Sequence, residues 1–262
     1  MSTVAETNVA TSTKVVQVRS VSKIFKRDAF QVTALDDVSI DIAKGEFLAL
    51  MGPSGSGKTT LLNMIAAIDR PTSGELLVQG QDIFRFGDSQ IARWRNEHIG
   101  YVFQTFNLIP VLTAFENVEL PLLLTKLTAQ QRRDHVLTAL KLVGLEDRVN
   151  HLPKQLSGGQ EQRVAIARAI VSDPTLLLAD EPTGDLDQRS AETIFDLMQR
   201  LHRSLQLTSI LATHNLSLAR RADRVLTLER GALAPGAEAL SDSAVPLPRA
   251  TSAGATTPGD RG

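Results

Sequence analysis

Phe47-Leu48-Ala49-Leu50-Met51-Gly52-Pro53-Ser54-Gly55-Ser56-Gly57-Lys58-Thr59-Thr60 is the stretch that decides the fold. It opens on a continuous apolar run, as expected of a strand covered on both faces. Gly52 to Thr60 then fits the pattern GxxxxGK[ST] in full, and a helical pattern over about 58–68 follows. The chemistry follows from backbone geometry. Gly55 and Gly57 permit angles denied to other residues, so consecutive N–H groups can turn inward as an anion cradle. The helix N-terminus adds partial positive charge. Lys58 is expected to neutralise β- and γ-phosphates, and the Thr59 hydroxyl to ligate Mg²⁺. A nucleotide site is expected here.

Working outward, apolar residues alternate at Val16 and Val18 and again at Val38, Ile40 and Ile42, which predicts antiparallel strands with polar connections. Further short strands are expected at Leu76-Leu77-Val78, Leu176-Leu177-Leu178-Ala179, Ile210-Leu211-Ala212 and Val225-Leu226-Thr227-Leu228. From about Ser89 to Val171 the pattern is mainly helical, with a glycine stop at Gly144. Ile194, Leu197, Leu201 and Leu205 share one helical face. The sum is an α/β fold with a mainly parallel core and a helical insertion. Residues 1–14 and those beyond about Ala234 are unpatterned and read as tails.

Composition narrows the function classes. The 262 residues carry 28 Lys plus Arg against 29 Asp plus Glu, a net charge of −1. A protein that grips a nucleic-acid backbone needs a basic excess, so no direct nucleic-acid binding is expected. With no cysteine, thiol catalysis, disulfides and Cys-ligated metals are excluded. The most apolar stretch, Leu108 to Leu127, contains Pro110, Glu116, Asn117, Glu119 and Pro121, and is not expected to span a bilayer. MSTVAETNVATSTK lacks the apolar core of a secretory signal. His98, His135, His151 and His202 show no ligand spacing. Trp94, between Arg93 and Arg95, reads as part of a solvated helix face.

Three further stretches bear on the phosphate site. Leu176 to Asp180 is an apolar strand ending in an acid, followed by Glu181. Strand ends are where open α/β sheets bind ligands. Asp180 can hold Mg²⁺ through water and Glu181 can polarise an attacking water, although acids commonly follow strands. Leu156-Ser157-Gly158-Gly159-Gln160 precedes a helical run. Ser157 can cap that helix, and the paired glycines leave its first N–H groups open, making a second anion-seeking terminus. A plain cap would need neither the glycines nor Gln160. His214 follows the strand ending at Thr213 and could reach a γ-phosphate, although a lone histidine is more often structural.

Together these residues resemble the ATP-binding cassette (ABC) family over roughly 15–234, with LSGGQ at 156–160 as the family signature. The resemblance implies a P-loop NTPase core with an antiparallel β subdomain and a helical subdomain at about 105–170. It assigns Gln104 to the Q-loop, with a Mg²⁺ and water contact, Asp180 to the Walker B acid, Glu181 to the catalytic glutamate and His214 to the switch histidine. Asp187 matches the D-loop acid. Phe25 is the candidate for stacking on adenine, with Phe30 as rival. The implied assembly is a head-to-tail homodimer enclosing two ATP molecules, each between one chain's loop and the other's Ser157, Gly158, Gly159 and Gln160. A two-fold axis makes both seams alike.

Phe106-Asn107-Leu108, the run Leu112 to Val118 and Asp180 to Asp187 resemble the lipoprotein-release, macrolide-export and cell-division group, apart from Asp185, where that group often has asparagine. A separate membrane permease and a peripheral place on the cytoplasmic face of the membrane are implied. Phe106, Leu108, Leu112 and Phe115 are candidate docking contacts, with core packing the competing reading. The rival functions are transmembrane signalling to cell-wall enzymes and a soluble ATPase acting on DNA or ribosomes. Long coiled coils or a second cassette, the marks of that last class, do not occur in the sequence.

Overall fold

The computed structural model describes residues 14–27 and 30–234. Apart from Lys14, the two expected tails lie outside the described residues. In chain order the strands are β1 (Lys14–Arg27), β2 (Phe30–Ala43), β3 (Phe47–Met51), β4 (Ser73–Val78), β5 (Gln81–Asp82), β6 (Ile99–Val102), β7 (Leu176–Asp180), β8 (Thr208–Thr213), β9 (Arg224–Glu229) and β10 (Ala232–Leu233). The helices are α1 (Lys58–Ile65), α2 (Asp88–His98), α3 (Ala114–Glu119), α4 (Ala129–Leu142), α5 (Gly158–Ile170), α6 (Gln188–Leu205) and α7 (Leu216–Ala219).

The strands form two sheets, one in the order β2-β1-β4-β5 and one in the order β10-β9-β3-β8-β7-β6. The first is antiparallel. The second is parallel except where β10 folds back on β9. Successive side chains on a strand point to opposite faces. Leu48 and Leu50 of β3 therefore enter one core, with α1 and the antiparallel sheet. Phe47 and Ala49 enter the other, with α5 and α6. Leu176/Leu178 and Leu177/Ala179 of β7 divide in the same way. This double cover is why those strands read as unbroken apolar runs. It also fixes the carboxyl ends of β3, β7 and β8 side by side at one edge.

The fold class is the expected one, with three local corrections. β6 lies inside the stretch read as mainly helical. It is only four residues long, and Gly100 within it lets the strand approach the Ala169 carbonyl, which a Cβ would strike. The N-terminal strands are a single long hairpin of 14 residues each, register-shifted by bulges. Trp94 is not solvated. It is 6% exposed and its ring meets that of His98 at a tilt, centroids 5.4 Å apart, because α2 packs that face onto the core while Arg93 stays exposed. Among the described residues no helix is long and apolar enough to cross a membrane.

Candidate nucleotide site and signature cleft

The loop between β3 and α1 is held by close backbone approach. Gly57 caps α1 at φ +104 with no side-chain hydrogen bond, and a Cβ there would sit 2.5 Å from the Ala34 carbonyl oxygen. A Cβ on Gly52 would collide with the Leu228 carbonyl. Both positions require glycine, for clearance as much as for dihedral freedom. The N–H groups at the start of α1 therefore have no side-chain cap, the condition for an anion site.

Lys58 is 5% exposed. Its Nζ donates to the carbonyls of Gly52 at 2.9 Å and Pro53 at 3.1 Å, and lies 3.4 Å from Glu181 Oε1. At the end of β7, burial pushes the Asp180 carboxyl above the usual range. Glu181 acts in the same direction, and a hydrogen bond with Thr59 and the charge on Lys58 oppose it. Asp180 Oδ1 and Ser56 Oγ are buried without a hydrogen-bond partner among the described residues. Unpaired oxygens in a pocket are costly, and a bound group that reaches them relieves that cost.

Glu181 occupies the left-handed region at φ +46, its N–H held by the Ala212 carbonyl at 2.9 Å. A non-glycine residue there stores strain. His214 Nδ1 lies 3.2 Å from Glu181 Oε2. Gln104 Nε2 donates to Asp185 Oδ1 at 3.3 Å. Ser54 to Thr60, Gln104, Asp180, Glu181 and His214 line one cavity of about 590 Å³, closed on one side by Val32, Thr33 and Ala34.

Phe25 is outside that lining. It is 44% exposed, with Lys23 Nζ 4.8 Å from its ring centre, and it pairs across the hairpin with Val32. Phe30 is 77% exposed. Val32, Thr33 and Ala34 were not legible as cavity residues, because nothing in a strand's sequence tells which end will lean over a distant loop.

The signature residues lie elsewhere. Ser157 caps α5 through a full capping box: its Oγ accepts from the Gln160 N–H, and the Gln160 side chain accepts from the Ser157 N–H. Gln160 thus has the local role that the simple-cap reading left without explanation. Ser157, Gly159 and Gln160 line a separate cleft of about 290 Å³ with Arg163 and Arg189, and none of its lining residues lines the first cavity. Asp187 caps α6, accepting from Ser190 N at 3.1 Å and Ser190 Oγ at 2.6 Å. The Ser190 hydrogen bonds hold its carboxyl below the usual range.

Of the candidate docking residues, Phe106, Leu108, Leu112 and Phe115 are all half-buried. Leu108 and Phe115 pack on the core. The most exposed apolar side chains between residues 105 and 130 are Val111 at 78% and Leu124 at 77%, with Ile109 and Leu123 also exposed. Leu124 edges a cleft of about 270 Å³ with Arg95, Asn96, Tyr101, Pro121 and Arg168.

A glycine-bounded phosphate loop, an acid pair at the neighbouring strand end and a separate LSGGQ helix terminus define a P-loop nucleoside triphosphatase of the cassette class. Residues 35–184 match the ABC transporter family. A Thermotoga maritima ABC transporter ATP-binding protein is 45% identical over 83% of this chain and 93% of its own length. The lipoprotein-releasing system ATP-binding protein LolD of Koribacter versatilis is 44% identical over 80% of this chain and 94% of its own. The solved dimeric structure of the bacterial ABC transporter cassette MJ0796 superposes with TM-score 0.77 at 42% identity, covering 83% of this chain and 96% of that one. A second structure of the same cassette, in a post-hydrolysis state bound to ADP and Pi, gives the same figures. The chain belongs to the ABC transporter ATP-binding family and is an ATPase of the ABC type.

Proposed function

We propose that two copies of this chain close head to tail over two ATP molecules and that the opening and closing drives a separate membrane permease in export or lipoprotein extraction. The observation that carries this reading is the presence of two disjoint phosphate-seeking surfaces on one chain, the loop cavity and the Ser157 cleft. The MJ0796 cassette has been solved as a dimer, and the LolD relative is named for lipoprotein release, which supports export or extraction as the class of work.

In this reading Lys58 and the N–H groups of 54–60 bind the phosphates, and Phe25 stacks on the adenine. Glu181 accepts a proton from the attacking water, while His214 holds the carboxylate in place through its Nδ1. Ser157 and the glycines beside it close over the partner's γ-phosphate. Loss of that shared phosphate weakens the closed state, an order-and-release switch. The buried, unpaired Asp180 Oδ1 beside Thr59 suits a divalent cation, with Gln104 at the same cavity wall. When bound, Mg²⁺ would supply charge neutralisation on the phosphate oxygens. The permease docks at the cleft edged by Leu124, and the chain would then sit on the cytoplasmic face of the membrane.

The test is Glu181→Gln in the full chain. It is expected to bind ATP, to lose turnover, and to form an ATP-dependent dimer by size-exclusion chromatography with light scattering. A variant that stays monomeric with ATP and magnesium overturns the dimer reading. For the permease, Leu124→Asp is expected to abolish copurification with a candidate permease from the same cell while ATP binding is retained. Undiminished copurification removes that docking site.

A further inference from the structure

Gln162, in the second turn of α5, is fully buried, with no exposed area. A polar side chain there needs a reason, since an unsatisfied amide in a core costs free energy. Its Nε2 donates to the Pro182 carbonyl at 2.6 Å and lies 3.4 Å from the Phe103 carbonyl. Pro182 follows Glu181 in the chain, and Phe103 precedes Gln104. The amide therefore joins the two segments that carry the water-polarising acid and the Q-loop glutamine. Only the NH₂ end can do this, because two carbonyl oxygens face it. The Oε1 end is left buried without a partner among the described residues. The same helix grips the Q-loop segment again further along, where Arg168 donates to the carbonyls of Phe106 at 3.0 Å and Asn107 at 2.6 Å.

The position of Gln162 on α5 matters most. That helix begins at Ser157, which in the head-to-tail reading meets the partner's nucleotide, while Gln162 braces Gln104 and Glu181 of its own site. We propose that Gln162 is a positioning residue that ties α5 to the hydrolytic side chains of the same chain, so that engagement of the signature terminus at one ATP sets the geometry for hydrolysis at the other. The proposal rests on the dimer reading above. Two ATP sites joined through one rigid helix have a physical coupling route, and the binding coupling is reciprocal between them.

The test uses full-length Gln162→Met, which keeps the volume and removes both hydrogen bonds. Turnover is expected to fall at least tenfold, with the ATP dissociation constant within twofold of the parent. The Hill coefficient for ATP, expected above one in the parent, should fall to one. If this variant does not fold, Gln162→Asn, which keeps the amide but is one methylene short, is measured in the same way with the same expected direction. Turnover within twofold of the parent, loss of turnover matched by loss of ATP affinity, or a parent Hill coefficient of one overturns the proposal. Adding Glu181→Gln separates the two readings. If Glu181→Gln alone fails to dimerise with ATP, the dimer reading fails and this one with it. If both it and the double variant dimerise, the turnover data judge Gln162 alone.

Discussion

Two helix N-termini in this chain open onto separate clefts, and they are built differently. At α1 the cap is Gly57, with no side-chain partner, and Ser56 Oγ and Asp180 Oδ1 lie buried and unpaired nearby. At α5 the cap is Ser157, whose box with Gln160 pairs the N–H groups of those two residues. The acids beside them repeat the contrast. Asp180 is pushed up, chiefly by burial, whereas Asp187 is held down by Ser190. The α1 terminus is left with buried, unpaired oxygens, whereas the capping side chain of the α5 terminus is already paired. In the proposed dimer the first would hold phosphate on its own chain and the second would meet phosphate only on the partner's nucleotide.

The largest test of this contrast is Lys58→Ala. Removing one well-placed electrostatic contact costs on the order of 10²–10³ in rate. ATP affinity of the single chain should fall as well, read by equilibrium binding, and unchanged affinity would break the comparison on the α1 side. Ser157→Ala should act in the opposite pattern. Single-chain ATP affinity should stay put while steady-state phosphate release drops roughly tenfold or more, the size of a lost charge-assisted hydrogen bond. Loss of the cap should also lower stability by about 1 kcal/mol in urea unfolding.

Smaller still is a pH effect at Asp180. A carboxyl whose folded pKa is raised is a burden when ionised, so Asp180→Asn should melt higher than the parent at neutral pH without nucleotide. The native state holds the proton more tightly than the unfolded one. The gap should therefore close as pH falls through the raised value and vanish below the ordinary 3.8. A gap that widens on acidification would reverse the assignment. Asp187→Asn should lose a little stability at neutral pH instead, which sharpens the contrast between the two acids.

The sequence makes the phosphate loop plain because clearance at Gly52 and Gly57 admits one residue type only, and Lys58 follows at a fixed distance. The apolar strands are equally plain, since both faces are covered. β6 was hidden by brevity and by a glycine whose reason is contact with Ala169, far along the chain. Trp94 reads as solvated because neighbouring arginines mask a helix face that tertiary packing buries. The sequence shows Gln162 just ahead of the apolar run Val164 to Ala167, but not that its own side chain is buried. What it holds, two carbonyls at 103 and 182, could not be inferred without the fold. Asp185 is similar, a departure visible in the sequence whose contact with Gln104 is not.

The phosphate loop is clasped from both ends of the chain. Ala34 lies over Gly57, the Leu228 carbonyl backs Gly52, and the Gly231 N–H bonds the Ser56 carbonyl at 3.1 Å. Motif residues near position 55 thus wait for a buttress made almost 180 residues later. A chain ended before β9 and β10 would keep every motif residue of the loop and lose the Leu228 and Gly231 backbone contacts that back it.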